Sequence, residues 1–257
     1  MKHIINYSGG LGSAITAVEV AKIYGRDNTI CVFADTLMED EDLYRFNDCF
    51  FEKFGLEKVT LCYGKTPWEL FKAEGFIANS RMDLCSRKLK RELLVNWMTS
   101  NFKPDECTAW VGIDYSEKHR IDRLQDAGKP YIYRAILAEH GVMLTREHKM
   151  AWCDANGMVP PRLYSMGFPH NNCGGFCVKA GLGQFKMLYE LLPERYMQHE
   201  IKEQETINSK PGVLPFLRKT INNERYYLTM EEYRTLFLST NKCADDVYDI
   251  GGCGCAL

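Results

Sequence analysis

His3-Ile4-Ile5-Asn6-Tyr7-Ser8-Gly9-Gly10-Leu11-Gly12-Ser13 is the stretch from which the rest of the chain can be read. Residues 3–7 suit a short buried strand, and Ala14 to Lys22 carries its apolar residues at helical spacing. A strand that turns through glycines into a helix makes an anion site. The tight backbone lets several N–H groups and the positive end of the helix dipole converge on one spot. Ser8 and Ser13 add hydroxyls at its two edges. The spacing excludes two common phosphate motifs. No Lys lies between Ser8 and Ser13, as a Walker loop requires, and Ile15 stands where the dinucleotide fingerprint needs its third glycine. A phosphate or pyrophosphate is the expected occupant of Ser8, Gly9, Gly10, Gly12 and Ser13.

The composition agrees with a single large α/β core. The chain has 257 residues, 46% of them hydrophobic, and a net charge of −2, so nothing in the overall charge calls for nucleic acid, although a local basic patch stays open. No apolar run reaches the ~20 residues that cross a bilayer. The first residues enter a strand at once, which leaves no room for a signal peptide and gives a cytoplasmic expectation. Eleven cysteines in such a chain point to metal, cluster or redox chemistry rather than disulfides.

Working outward, Asn28 to Ala34 is a continuous apolar run of the parallel-sheet kind, ending in Asp35-Thr36. Ligands of open α/β sheets sit beyond the carboxyl ends of strands, so Asp35 and Thr36 are expected beside the phosphate loop, touching ribose, base or magnesium. Asp35 could equally cap the acidic amphipathic helix that follows to Phe54. Lys58 to Tyr63 reads as a third strand, and a helix follows near Pro67 to Phe71. Arg81, Arg87, Lys88, Lys90 and Arg91 then surround Cys85 at the start of a helix running through Leu94 and Trp97. That field suits a thiolate or an anionic substrate. Thr108 to Ile113 is a further strand, delivering Gly112, His119 and Arg120 toward its carboxyl end. Beyond Lys179 the chain reads mainly as helices, over 183–192, 193–206 and 230–238, the last behind the capping box Thr229-Met230-Glu231-Glu232. The expected fold is therefore a doubly wound, mostly parallel α/β domain over residues 1–180 and a helical cap over 181–257.

Among the cysteines, Cys31, Cys49 and Cys62 read as small core residues, and Cys107, Cys153 and Cys243 receive no role. Cys85, Cys173, Cys177, Cys253 and Cys255 remain, three of them beside glycine, where backbone can approach a ligand closely. Cys85, Cys173 and Cys177 with Cys253 would supply the four thiolates of a 4Fe–4S cluster. The same set could hold zinc, or Cys253 or Cys255 could work as a redox thiol. These options stay open.

The S-G-G-x-x-S stretch resembles the PP-loop of the adenine nucleotide alpha-hydrolase superfamily, which includes ATP pyrophosphatases, tRNA thiolases and phosphoadenosine phosphosulfate reductases. The likeness to the reductases extends over about residues 1–180, with the motifs in order: Asp35-Thr36, Cys85 with Arg87-Lys88, Gly112-Ile113 with Arg120, Arg162-Leu163-Tyr164 with Gly167-Phe168, and Cys173 with Cys177. The departures are specific. Leu11-Gly12 replaces the usual Lys-Asp, Cys85-Ser86 replaces a Cys-Cys pair, and the second pair is spaced C-x-x-x-C. The resemblance implies a phosphoadenosine phosphosulfate or adenylylsulfate reductase. Ser8–Ser13, Asp35, Thr36 and Gly112 would hold the nucleotide, Arg87, Lys88 and Arg120 the sulfate or second phosphate, and Cys253 or Cys255 would attack sulfur. A thiol reductant would be the partner. The alternative is an adenylating thiolation enzyme that uses ATP, a sulfur donor protein and nucleic acid. A third reading is a nucleotide sensor without catalysis, suggested by Leu11 and Gly12. Assembly as a homo-oligomer is compatible with each.

Overall fold

The computed structural model describes residues 1–79, 82–126, 130–221, 224–240 and Asp249. Strand β1 (Lys2–Tyr7) leads through the glycine loop into α1 (Leu11–Tyr24), then β2 (Thr29–Asp35), α2 (Glu41–Phe54) and β3 (Glu57–Cys62). Helix α3 (Pro67–Glu74) and a π-helical turn (Ser86–Arg91) precede α4 (Glu92–Asn101) and β4 (Cys107–Val111). Then come α5 (His119–Asp126), β5 (Ile132–Arg134), α6 (Ile136–Glu139), α7 (Arg146–Ala155) and α8 (Arg162–Ser165). The carboxyl-terminal third holds α9 (Leu182–Leu191), α10 (Pro193–Ile207), β6 (Leu217–Ile221), β7 (Glu224–Leu228) and α11 (Met230–Tyr233).

Five strands form one parallel sheet in the order β3-β2-β1-β4-β5. Period-two alternation divides its faces. Ile5, Tyr7, Cys31, Phe33 and Trp110 pack with α1, α2, α6 and α7, whereas Ile4, Ile30, Val32, Ala109 and Val111 pack with α4 and α5. The sheet is thus doubly wound. The chain runs outward from β1 to β3, then returns to place β4 on the other side of β1. Strand order reverses between β1 and β4, so the crevice where such sheets bind ligands opens at Ser8 and Gly112.

A third core joins the two halves of the sequence. Trp68, Phe71, Leu163, Phe168 and Phe176 pack with Leu182, Phe185, Leu188, Tyr196, Phe216, Met230 and Tyr233. The expected boundary at residue 180 therefore runs through a single buried cluster. Arg195 and Arg162 reinforce the junction by donating to the buried Asp40 carboxylate at the start of α2, at 2.6 and 2.8 Å. Burial pushes the Asp40 carboxyl up, but these arginine hydrogen bonds more than offset it and hold it below the ordinary range.

Two expectations need correcting. The region read as helices and loops after residue 207 contains an antiparallel pair, β6 with β7, in which Leu217 lies opposite Leu228. Both leucines are buried, and this anchors the pair to the core. Cys49 and Cys62 are exposed rather than core residues. Cys49 falls on α2 between the inward-facing Phe46 and Phe50, and Cys62 ends an edge strand. Cys31 is buried as expected.

Candidate functional site

Two hollows adjoin at the carboxyl end of the sheet. The first, about 730 Å³ including its open mouth, is bordered by Ser8, Gly10, Gly12, Ser13, Gly112, Arg120, Lys149, Tyr164 and residues 170–172. Its floor is built by close backbone approach. A Cβ on Gly112 would lie 2.8 Å from the Ser13 amide nitrogen and 3.0 Å from the Gly12 carbonyl carbon, so β4 and the loop touch with no room for a side chain. Gly9 has a φ of +76° and sits against Leu43, where a Cβ would meet Leu43 Cδ1 at 2.8 Å.

The serines organise the loop internally. Ser13 Oγ donates to the Gly10 carbonyl at 2.8 Å and accepts the Ser8 amide at 3.1 Å, while the two hydroxyls lie 3.2 Å apart. An anion held at this loop would therefore meet chiefly backbone N–H groups at the start of α1. Tyr164 closes one side by accepting the Leu11 amide at 3.3 Å.

Arg120 borders the same cleft. Its Nη1 pairs with Glu117 at 2.5 Å, and its Nη2 is buried at the cleft without a partner among the described residues. Lys149 borders the same space, a contribution the linear spacing did not single out. Asp114 is committed to structure, accepting from the Ser116 amide and hydroxyl and the Leu144 amide. Burial pushes its carboxyl up, but those hydrogen bonds outweigh it and hold the group below the ordinary range.

The second hollow, about 420 Å³ including its open mouth, brings together Thr36, Cys85, Ser86, Lys90, Cys173, Cys177 and Lys179 among apolar residues. Beneath it, Glu39 is buried. It accepts the Thr36 hydroxyl at 2.9 Å and the Cys173 amide at 2.6 Å, and lies 3.6 Å from Lys90 Nζ. Lys179 donates to Ser86 Oγ at 3.3 Å. Cys173 takes a φ of +50°, and Gly174 and Gly175 follow at +61° and +85°. This left-handed run is costly at a cysteine, and the Glu39 contact and an Arg195 hydrogen bond to the Gly174 carbonyl hold it. Residues 170–177 form the partition between the hollows. Asn171 and Asn172 border the glycine-loop cleft, and Cys173 and Cys177 line the thiol hollow.

The expected nucleotide residues are thus divided. Ser8, Gly10, Gly12, Ser13, Gly112 and Arg120 share the glycine-loop cleft, while Thr36 lines the thiol hollow. Asp35 lines neither hollow and accepts from the Leu37 amide and the Tyr44 hydroxyl. Arg87 and Lys88 turn away and pair with Glu92, whereas Lys90 and Lys179 line the thiol hollow. Cys253 and Cys255, expected as catalytic or metal-binding residues, lie outside the described residues, as does Arg81. Cys85, Cys173 and Cys177 share one hollow, yet among the described residues no three Cys, His, Asp or Glu side chains converge as a metal-holding group. The described donor set does not complete the cluster or zinc site expected from the sequence. No helix among the described residues is long and apolar enough to cross a membrane.

No family profile and no curated protein matches the chain. Among solved structures it is similar to the U34-tRNA thiolase NcsA from Methanococcus maripaludis, determined with its 4Fe-4S cluster. The similarity covers 81% of this chain and 70% of that one, at 14% identity and a TM-score of 0.45. A likeness that weak carries no argument about activity, and the α/β assignment stands on the strand order of the chain itself.

Proposed function

We propose that the chain is an adenine-nucleotide-dependent sulfur-transfer enzyme of the adenylating kind. The observation that carries this reading is the partition at residues 170–177, which gives a phosphate cleft and a thiol hollow one common wall. ATP would lie with its phosphates on the Ser8–Ser13 backbone, and Arg120 and Lys149 would offset their charge. A carbonyl-type oxygen of the acceptor attacks the α-phosphorus and pyrophosphate departs. Sulfur delivered by a donor protein as a persulfide on Cys173 or Cys177 then attacks the activated carbon and expels AMP. The neighbouring thiolate takes the persulfide S–S bond, leaving the thiolated product and a disulfide that a thiol reductant reopens. A nucleobase in nucleic acid is the acceptor class, supported by exposed Arg225 and Tyr227 on β7.

The test separates the two half-reactions. ATP-dependent pyrophosphate release with RNA or DNA present should persist in Cys173→Ser and Cys177→Ser variants, while transfer of labelled sulfur to the nucleic acid is lost. Sulfite formation from a sulfonucleotide and a thiol, without pyrophosphate release from ATP, would instead establish the reductase reading. The buried Nη2 of Arg120 speaks for that second reading, since a sulfate or additional phosphate would satisfy it.

A further inference from the structure

Asn171 is 1% exposed and borders the phosphate cleft, yet among the described residues neither Nδ2 nor Oδ1 of its carboxamide has a hydrogen-bond partner. Burying both ends of an amide unmet is costly, and cores rarely retain such a group without a use for it. The position is not a loose one. Immediately downstream, Glu39 holds the Cys173 amide, Arg195 Nη1 donates to the Gly174 carbonyl at 2.8 Å, and Gln184 Nε2 donates to the Gly175 carbonyl at 2.7 Å.

The chemistry of a carboxamide narrows its ligand. It presents one donor beside one acceptor in a plane, whichever way round the amide is set. A phosphate offers only acceptors and would leave Oδ1 facing negative charge, so Asn171 is not part of the anion cradle. Arg120 is suited to that role, with an unpartnered buried Nη2 and donors only. The cleft therefore has an anion-binding group and an amide-reading group in the same space. A ligand satisfying both carries phosphate and, elsewhere, a planar edge with a donor next to an acceptor. Adenine provides such an edge in its N6 amino group beside N1 or N7.

We infer that Asn171 reads the base of the bound nucleotide, selecting adenine by a paired hydrogen bond. The inference rests on the proposed binding of an adenine nucleotide in this cleft. It places base selection on the partition that also carries the thiols, rather than on Asp35 and Thr36 at the end of β2.

Titration of the full chain with ATP, GTP and pyrophosphate tests it. The Asn171→Asp variant replaces the donor with a second acceptor, which opposes N1 or N7 of adenine and matches the N1–H and N2 amino donors of guanine. Measured against pyrophosphate affinity, which reports the effect of the added charge alone, ATP affinity should fall by about tenfold or more and GTP affinity should rise. Asn171→Leu should lose ATP affinity without gaining GTP. An unaltered preference for ATP over GTP in Asn171→Asp would overturn the inference. So would an equal loss of ATP and pyrophosphate binding, which would mean that Asn171 only shapes the loop. Failure of the parent reading looks different: the wild-type chain would then bind neither ATP nor pyrophosphate.

Discussion

Gly112 shows how one absent side chain can shape a candidate site. The loop reaches the switch point between β1 and β4 only because the Ser13 amide can lie against bare backbone there. Gly112→Ala should push the loop away from β4, with a cost of about 1–3 kcal/mol as for other overpacked sites. Pyrophosphate affinity should fall by about tenfold, corresponding to 1.4 kcal/mol of lost binding. Titration with pyrophosphate alongside a melting curve checks both effects, and unchanged affinity would mean that this loop is not the cradle. Glu39 works at the same scale from the other hollow, since one carboxylate ties Thr36, Lys90 and the strained Cys173 turn together. The sequence showed Glu39 only as one acid in a helix-opening run. Its role depends on burial beside residues 51 and 134 positions away, which no local pattern encodes. Asn171 escaped notice for the same reason: an asparagine in a loop looks ordinary until both amide atoms prove to be buried.

Among the buried ionisable groups of helix α10, His199 and Glu203 act in opposite directions. His199 accepts the Trp68 indole N–H at 3.0 Å and stacks on Phe176, and burial, assisted by Arg195, pulls its pKa down to about 3. Burial pushes the Glu203 carboxyl up to about 8, against hydrogen bonds from the Met230 and Phe216 amides. A depressed histidine gives no penalty above its ordinary 6.5, and stability falls as pH drops from 6.5 toward 3 because the unfolded chain gains the proton first. A raised carboxyl acts the other way. The folded chain keeps a proton that the unfolded chain releases, so stability declines as pH rises from 4.5 toward 8. The two slopes oppose one another between 4.5 and 6.5, and Glu203 alone governs the range from 6.5 to 8. There the wild type should lose about 1.4 kcal/mol per pH unit from this group, and Glu203→Gln should remove that slope. Denaturation at several pH values compares the two, and parallel curves would show that Glu203 is ionised in the fold. The elements bearing these residues were legible to different degrees. The central strands read correctly because burial on both faces makes them continuous apolar runs, as at Thr29–Asp35, whereas the three-residue edge strand β5, with Ile132 and Arg134 exposed, carries no such run and was not expected. The β6–β7 pair did not read correctly either, because outward Arg225, Tyr226 and Tyr227 leave it no apolar face to recognise.

At the scale of the whole molecule, α3 and α8 share one buried core with the carboxyl-terminal helices. The sequence suggests a domain and an appended cap, since the motifs end near residue 180 and the later helices have a pattern of their own. What it cannot display is that Trp68, Phe71, Leu163, Phe168 and Phe176 have their packing partners beyond that point. Five large side chains at about 2 kcal/mol each amount to about 10 kcal/mol of burial, comparable with the entire stability of an ordinary domain. Removing residues 181–257 would expose that surface and release Asp40 from Arg195. A fragment of residues 1–180 should therefore aggregate or melt without a cooperative transition, whereas the full chain should unfold in one transition that includes the thiol hollow. Calorimetry of both forms, with pyrophosphate titration of any soluble fragment, decides the matter. A fragment that melts sharply and binds pyrophosphate as the full chain does would make the carboxyl-terminal region a separable cap. A single transition in the full chain, raised by pyrophosphate, would instead mean that ligand binding at β1 and β4 stabilises the helices that support the thiol wall.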